Sequence, residues 1–265
     1  MKKITSLMLA LMLAMSLASC GEKANDVETQ GETENQVETE VETETETEAE
    51  TETEAEAETE TEEADVMTYE EYAAAEIDSP VVIDAYVQGK QSWWDNKATV
   101  YAQDEDGAYF IYEMACSEED YEKLTVGTAI KVTGHKAEWS GEVEIVDATF
   151  EIIEGNYVAE PVDVTSLLAS KELINHQNKL ASFKGMTVDA INYKNEEPGD
   201  DIYLTLSKDG ESYDFCVEIY LTGEDSEVYK TVGELAVGDI VDVEGFLYWY
   251  EGVNPHITSV VKLEA

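Results

Sequence analysis

Acid–base, nucleophilic or metal chemistry in this chain would have to come from three histidines, three cysteines and sixty-one carboxylates, and their spacing decides what they can do. His135, His176 and His256 have no histidine four residues away and no cysteine pair beside them, so the spacing of a zinc site is missing. There is no Gly-x-Ser-x-Gly elbow, no Walker-type phosphate loop and no Cys–His nucleophile pair. Carboxylates are too abundant for any two to stand out as a glycosidase dyad. The acidic loops Asp104-Glu105-Asp106 and Glu196-Glu197-Pro198-Gly199-Asp200-Asp201 offer oxygen ligands for Ca²⁺. Neither follows the EF-hand spacing, and turns are acidic for reasons of turn chemistry alone. The sequence is therefore read as a non-enzyme with no cofactor and no metal.

What remains is recognition by aromatic faces. Trp93 and Trp94 sit side by side, followed by Asp95, Asn96 and Lys97. Neighbours on a strand point opposite ways, so one indole can plug a core while the other stays outside; the plainer alternative is that both cover the core's end. Trp139 and the run Phe246-Leu247-Tyr248-Trp249-Tyr250 form a second group. Strand alternation cannot hide all five residues of that run in one core, so some are expected at the surface or between domains. Tyr101 and Tyr203 occupy the polar phase of their strands beside Thr99 and Thr205 and are expected to face a ligand groove, although tyrosine is also an ordinary strand former. The candidate ligand-binding residues are thus Trp93, Trp94, Tyr101, Trp139, Tyr203, Tyr248, Trp249 and Tyr250.

An internal repeat defines the elements that must position them. Leu124 to Gly134 aligns without gaps on Leu235 to Gly245, and at the same displacement Trp139 meets Tyr250 and Gly141 meets Gly252. The first copy predicts a short helical lead over 69–75 and strands over 81–87, 98–103 and 109–116. Phe110, Tyr112, Met114 and Cys116 are read as the inward phase of the third strand. A helix capped by Ser117 follows, then a fourth strand and a fifth over 143–153. The second copy predicts a helical lead from 166 to about 180, strands over 183–191, 202–207 and 213–220, a helix over 228–235, the repeat strand and a last strand over 256–263. Tyr213, Phe215, Val217 and Ile219 are its inward phase, so Cys216 points outward while Cys116 points in. The two cysteines are expected to be free thiols in separate domains.

Three strands, a short helix and two more strands give the order of a five-stranded Greek-key barrel. The segment Leu-x-x-Gly-x-x-[Ile/Val]-x-Val-x-Gly resembles bacterial OB-fold modules, including those beside secreted nuclease domains and the oligonucleotide-binding and tRNA-anticodon-binding type. The resemblance covers Pro80 to Glu154 and Ser182 to Leu263. It implies an all-β chain with short helices, built as two tandem OB-like barrels over 68–158 and 163–265. It also implies a binding face on the second and third strands, flanked by the loops that carry Trp93-Trp94 and Trp139. Such modules often bind nucleic acid there through Lys, Arg and aromatics.

Lys2 and Lys3 followed by the apolar stretch Ile4 to Leu17, too short for a spanning helix, read as an export leader over 1–19. Leu17-Ala18-Ser19-Cys20-Gly21 resembles the lipobox of bacterial lipoproteins. That resemblance implies lipidation of Cys20, with palmitate among the acyl groups, and an extracytoplasmic protein held at the membrane by a lipid anchor. From Glu28 to Glu63 the chain is mostly Glu alternating with Thr or Ala, with almost nothing to bury, so 20–67 is expected to be a disordered acidic stalk.

The acidic bias continues into the domains: 41 of the 61 acidic residues but only 12 of the 15 basic ones lie beyond position 65, and arginine is absent throughout. Phosphate recognition is disfavoured by that balance. The expected function is a non-enzymatic binding module whose partner is an envelope protein or a glycan. The alternative is single-stranded oligonucleotide binding at the cell surface, which a basic groove between Lys90, Lys97, Lys131 and Lys136 would favour. The sequence assigns no oligomeric state.

Overall fold

The computed structural model describes residues 65–264. Cys20, the leader and the Glu/Thr run from 28 to 63 lie outside the described residues.

The first barrel opens with α1 (Tyr69–Ala74), fixed by a capping box in which Thr68 and Glu71 satisfy each other's backbone N–H groups. It continues through β1 (Pro80–Lys90), β2 (Lys97–Gln103), β3 (Ala108–Ala115), α2 (Glu118–Lys123), β4 (Thr128–Trp139) and β5 (Glu142–Asn156). The strands close in the order β1-β2-β3-β5-β4, with β4 back against β1. Only the β3–β5 pairing is parallel. This is the strand order of the OB Greek key.

The second half holds β6 (Val162–Asp163), two 3₁₀ turns (Thr165–Leu167 and Lys171–His176), β7 (Leu180–Tyr193), β8 (Ile202–Lys208) and β9 (Glu211–Val217). After these come α3 (Ile219–Thr222), α4 (Glu227–Gly233), β10 (Ile240–Phe246) and β11 (His256–Lys262). Its sheet runs β10-β11-β9-β8-β7, and β10 also pairs with β7, so the same ring is drawn a second time. β6 is an addition, pairing in parallel with β7.

The repeat has a physical basis in how each fourth strand is entered. Gly127 and Gly238 both sit at φ +91°, a backbone conformation that favours glycine. Each donates its N–H to the first strand of its own barrel, Gly127 to Val87 O and Gly238 to Val188 O, both at 2.8 Å. Thr128 and Asp239 cap the turn identically, accepting from the N–H of Thr125 and Ala236. Leu124 and Leu235 are buried, while Val126 and Val237 are exposed in both copies. Gly134 and Gly245 mark close backbone approaches between the fourth and fifth strands, where a Cβ would meet Val146 O at 2.8 Å and His256 O at 2.1 Å.

Each barrel has its own apolar core. Ile83, Val100, Ile111, Met114, Ile130 and Ile145 belong to the first, and Phe183, Met186, Leu204, Phe215, Val241 and Val243 to the second. Three expectations are corrected. In β3 the inward residues are Tyr109 and Ile111, then Met114 and Cys116, whereas Phe110 and Tyr112 point out. The cause is a β-bulge: Tyr112 and Glu113 together oppose Thr99, Glu113 takes φ +46°, and the side-chain phase flips. In the second barrel Phe215 and Val217 are core and Tyr213 packs at its edge, but Ile219 has left the strand and opens α3. The lead over 166–180 is two 3₁₀ turns, and β7 starts at Leu180. Cys116 lies in the first core; Cys216 lies outside the second yet is buried, and both are free thiols.

Candidate functional site

The outer face of β2 and β3, where an OB barrel commonly meets its ligand, is divided in two. One part is filled from within the chain. Tyr101 and Phe110 meet Phe246 and Tyr248 of the second barrel in a separate buried cluster. Tyr101 stacks on Phe246 with ring centres 4.2 Å apart and planes 6° from parallel, and Phe110 meets Tyr248 edge-on at 5.2 Å. The Tyr101 hydroxyl shares a 2.6 Å hydrogen bond with Nδ1 of His256, whose ring stacks on Tyr248. Glu218 lies 3.3 Å from the same nitrogen and accepts from the side-chain amide of Gln91 in the first barrel. Burial, reinforced by the Glu218 charge, pushes the Tyr101 hydroxyl well above its ordinary value, so it stays protonated.

These contacts correct the reading of Tyr101 as a ligand-facing side chain. It is fully buried, and so nearly is Tyr248, because the second barrel occupies the surface they were expected to offer.

The other part is open. A cleft of about 470 Å³ is walled by Trp93, Trp94, Tyr112 and Tyr220, with Gln91, Ser92 and Thr99 among its polar groups and the Lys97–Glu113 ion pair at its edge. Local structure presents each ring. Asp95 and Asn96 both take positive φ, 49° and 59°, between the paired residues Trp94 and Lys97, which makes a tight hairpin turn with Trp94 on its shoulder. Trp94 is 76 % exposed. The Trp93 indole N–H donates to Cys116 O at 2.9 Å, holding that ring half-buried against the barrel end. Tyr112 reaches the surface because of the bulge at Glu113. Tyr220 comes from α3 of the second barrel, and its carbonyl accepts from Ser92 N at 2.7 Å, tying the loop to the helix.

Trp93 and Trp94 are therefore brought to one site, and they split between half-buried and exposed. Trp139 and Tyr250 meet at 5.2 Å with their planes tilted by 37°, both about half exposed, where the two repeat-related hairpins meet. Trp249 is half-buried against the second core. Tyr203 is exposed on β8, in neither group. Tyr112 and Tyr220 were missed as site residues. Strand alternation places Tyr112 in the core and Tyr220 at the end of a strand. Glu113 gave no warning of this, because the alternation as read already placed its charge outside.

The acidic loops are engaged in their own turns. Asp104 accepts from the N–H of Asp106 and Gly107 and from the Tyr109 hydroxyl. Asp200 and Asp201 hold Lys194, and Asp201 also caps α3 at Ile219 N. Among the described residues no three His, Cys, Asp or Glu side chains gather as a metal site.

The lysines are engaged too. Lys136 is buried and donates to the carbonyls of Tyr72, Ala73 and Ala75 at the end of α1. Lys90 reaches the Tyr121 carbonyl and ring, and Lys97 pairs with Glu113 at 2.6 Å. Lys179 and Lys208 donate to backbone carbonyls. Lys123, Lys184, Lys194, Lys230 and Lys262 pair with carboxylates. Among the described residues only Lys131 and Lys171 have no such acceptor, so Lys90, Lys97, Lys131 and Lys136 do not make a free basic groove.

No family model matches the sequence, and no curated protein matches it. Among solved structures, a murine DNA-binding protein bound with double-stranded DNA aligns at 12% identity over 71% of this chain and 97% of its own, with a TM-score of 0.35. The Ifi202 HINa domain in complex with 20-bp DNA aligns at 11% identity, covering 71% of this chain and 98% of that one, with a TM-score of 0.33. An aspartyl-tRNA synthetase from Leishmania major Friedlin aligns at 14% identity over 42% of this chain and 22% of its own, with a TM-score of 0.29. The barrel assignment rests on the strand order itself.

Proposed function

We propose that the chain is a non-enzymatic binding module of an extracytoplasmic lipoprotein, anchored through Cys20, that takes an envelope protein or a glycan in the cleft beside Trp94. The carrying observation is that cleft: a concavity of about 470 Å³ lined by aromatic rings from both barrels, at a part of the β2–β3 face the second barrel leaves open. Aromatic rings of this kind anchor protein interfaces and stack on sugars without positive charge. Anchoring is supported by the run Leu17-Ala18-Ser19-Cys20-Gly21. Against the oligonucleotide alternative stand the absence of arginine and the lysines' engagement with acceptors of the chain itself.

Two measurements test the reading. Cys20→Ala is expected to move the protein out of the membrane fraction or to block its processing; normal processing with unchanged membrane retention contradicts the anchor. Oligothymidylate titrated at low salt is expected to show no binding to the full-length protein. Tight binding that collapses as salt is added, as counterion release demands, overturns the preferred ligand class.

A further inference from the structure

We infer that the cleft takes a cation, the lysine or arginine side chain of a basic segment on a partner protein. The inference rests on the reading of the cleft as the binding site and adds the chemistry of its occupant. The face of an aromatic ring carries negative quadrupole density, and a cation over it is attracted most strongly by tryptophan. Trp93, Trp94, Tyr112 and Tyr220 supply four rings, none stacked on another within the cleft, and Trp94 and Tyr220 are 76 % and 60 % exposed.

A carboxylate stands ready at the edge. Glu113 is paired with Lys97 at 2.6 Å, but both side chains are more than 40 % exposed, and a pair so exposed contributes little to stability. An incoming cation can exchange with Lys97, keeping the carboxylate and gaining the rings. Guanidinium suits this best, since its plane stacks on indole while its edge donates to the carboxylate.

The charge of the whole domain selects the same sign. With 41 acidic against 12 basic residues beyond position 65, and ten of those twelve lysines already bonded within the chain, the surrounding field attracts cations and repels anions. A protein segment carrying several positive charges uses that field along its length, which a lone small cation cannot do.

The test uses Lys97 beside Trp94, because removing a competing cation tightens a bound cation and weakens a bound anion. The full-length protein in detergent is titrated at physiological ionic strength with an Arg/Lys-rich decapeptide, its Glu-substituted counterpart and chitohexaose, read by tryptophan fluorescence and by calorimetry. The basic peptide is expected to bind, the acidic one not. Trp94→Ala is expected to weaken the basic peptide about tenfold, and Lys97→Ala to tighten it two- to fivefold by removing the competing cation. Both positions are exposed, so both variants keep the fold, which circular dichroism checks. Peptide affinity indifferent to Trp94→Ala means capture by the acidic surface alone and overturns the inference, as does weakening by Lys97→Ala. Chitohexaose bound in a Trp94-dependent way, with the basic peptide unbound, overturns the inference while leaving the cleft as the site. If no probe depends on Trp94, the cleft itself is not the site.

Discussion

Glu142 is the residue whose surroundings conflict most with its charge. It begins β5, is wholly buried, and faces the second barrel, where its Oε2 accepts from the backbone N–H of Trp249 at 2.8 Å and from the Gln177 amide at 3.1 Å. Burial pushes its carboxyl up to about 8, the two donors only partly opposing the rise. The folded chain then holds a proton that the unfolded chain, with an ordinary carboxyl near 4.5, has released at neutral pH. Stability from this group is fully present below about pH 4.5 and is lost as pH rises through about 8. Glu142→Gln keeps an acceptor for Trp249 and removes the titration. Its stability advantage over the wild type is expected to grow between those limits by up to about 1.4 kcal/mol per pH unit. Denaturant unfolding of both proteins at several pH values checks this; parallel stability curves would show that Glu142 titrates like an exposed carboxyl.

At the scale of elements, the repeat was legible because its glycines do geometric work that no other residue can do. Gly245 allows His256 O to lie where a Cβ would stand at 2.1 Å, and Gly134 allows Val146 O at 2.8 Å. Gly245→Ala must part β10 from β11 and is expected to cost about 2 kcal/mol or more, with Gly134→Ala costing less because its obstruction is looser. Equal, small losses in chemical denaturation would mean that the strand pairs relax freely. Strand order, the Ser117 cap of α2 and the outward Cys216 were read from the same local rules. The phase of β3 was not, since alternation assumes an unbroken ladder and the bulge at Glu113 adds a residue without any glycine to announce it. Tyr101 failed differently. Its phase was read correctly as outside the first core, but period-two alternation distinguishes the two sides of a strand and says nothing of what covers the outer one. In a tandem protein that cover can be the other copy, and the Phe246–Tyr250 run, too apolar for one core, was the sign that such a cover was needed.

At the scale of the molecule, the two barrels share more than a linker, and this bears on whether either is complete alone. The first barrel contains its own core, so residues 68–158 are expected to fold when expressed separately. They would do so with Tyr101 and Phe110 stripped of Phe246 and Tyr248. Further partners would be lost at the same edge: Gly141 O and Val143 O accept from the side chains of Gln177 and Asn178, and Gln103 accepts from Leu180 N. Exposing two large aromatic rings costs on the order of 3 kcal/mol. It also creates an apolar patch on the face where an OB barrel meets ligands. The isolated first barrel is therefore expected to unfold cooperatively at lower denaturant than the whole protein and to bind a hydrophobic dye that the whole protein does not. Adding residues 163–265 in trans should suppress that dye signal by re-covering Tyr101. An isolated barrel as stable as the intact chain and silent to the dye would mean that the barrels merely touch. The second barrel thus both covers Tyr101 and Phe110 on the outer face of β2 and β3 and supplies Tyr220 as a wall of the cleft that stays open.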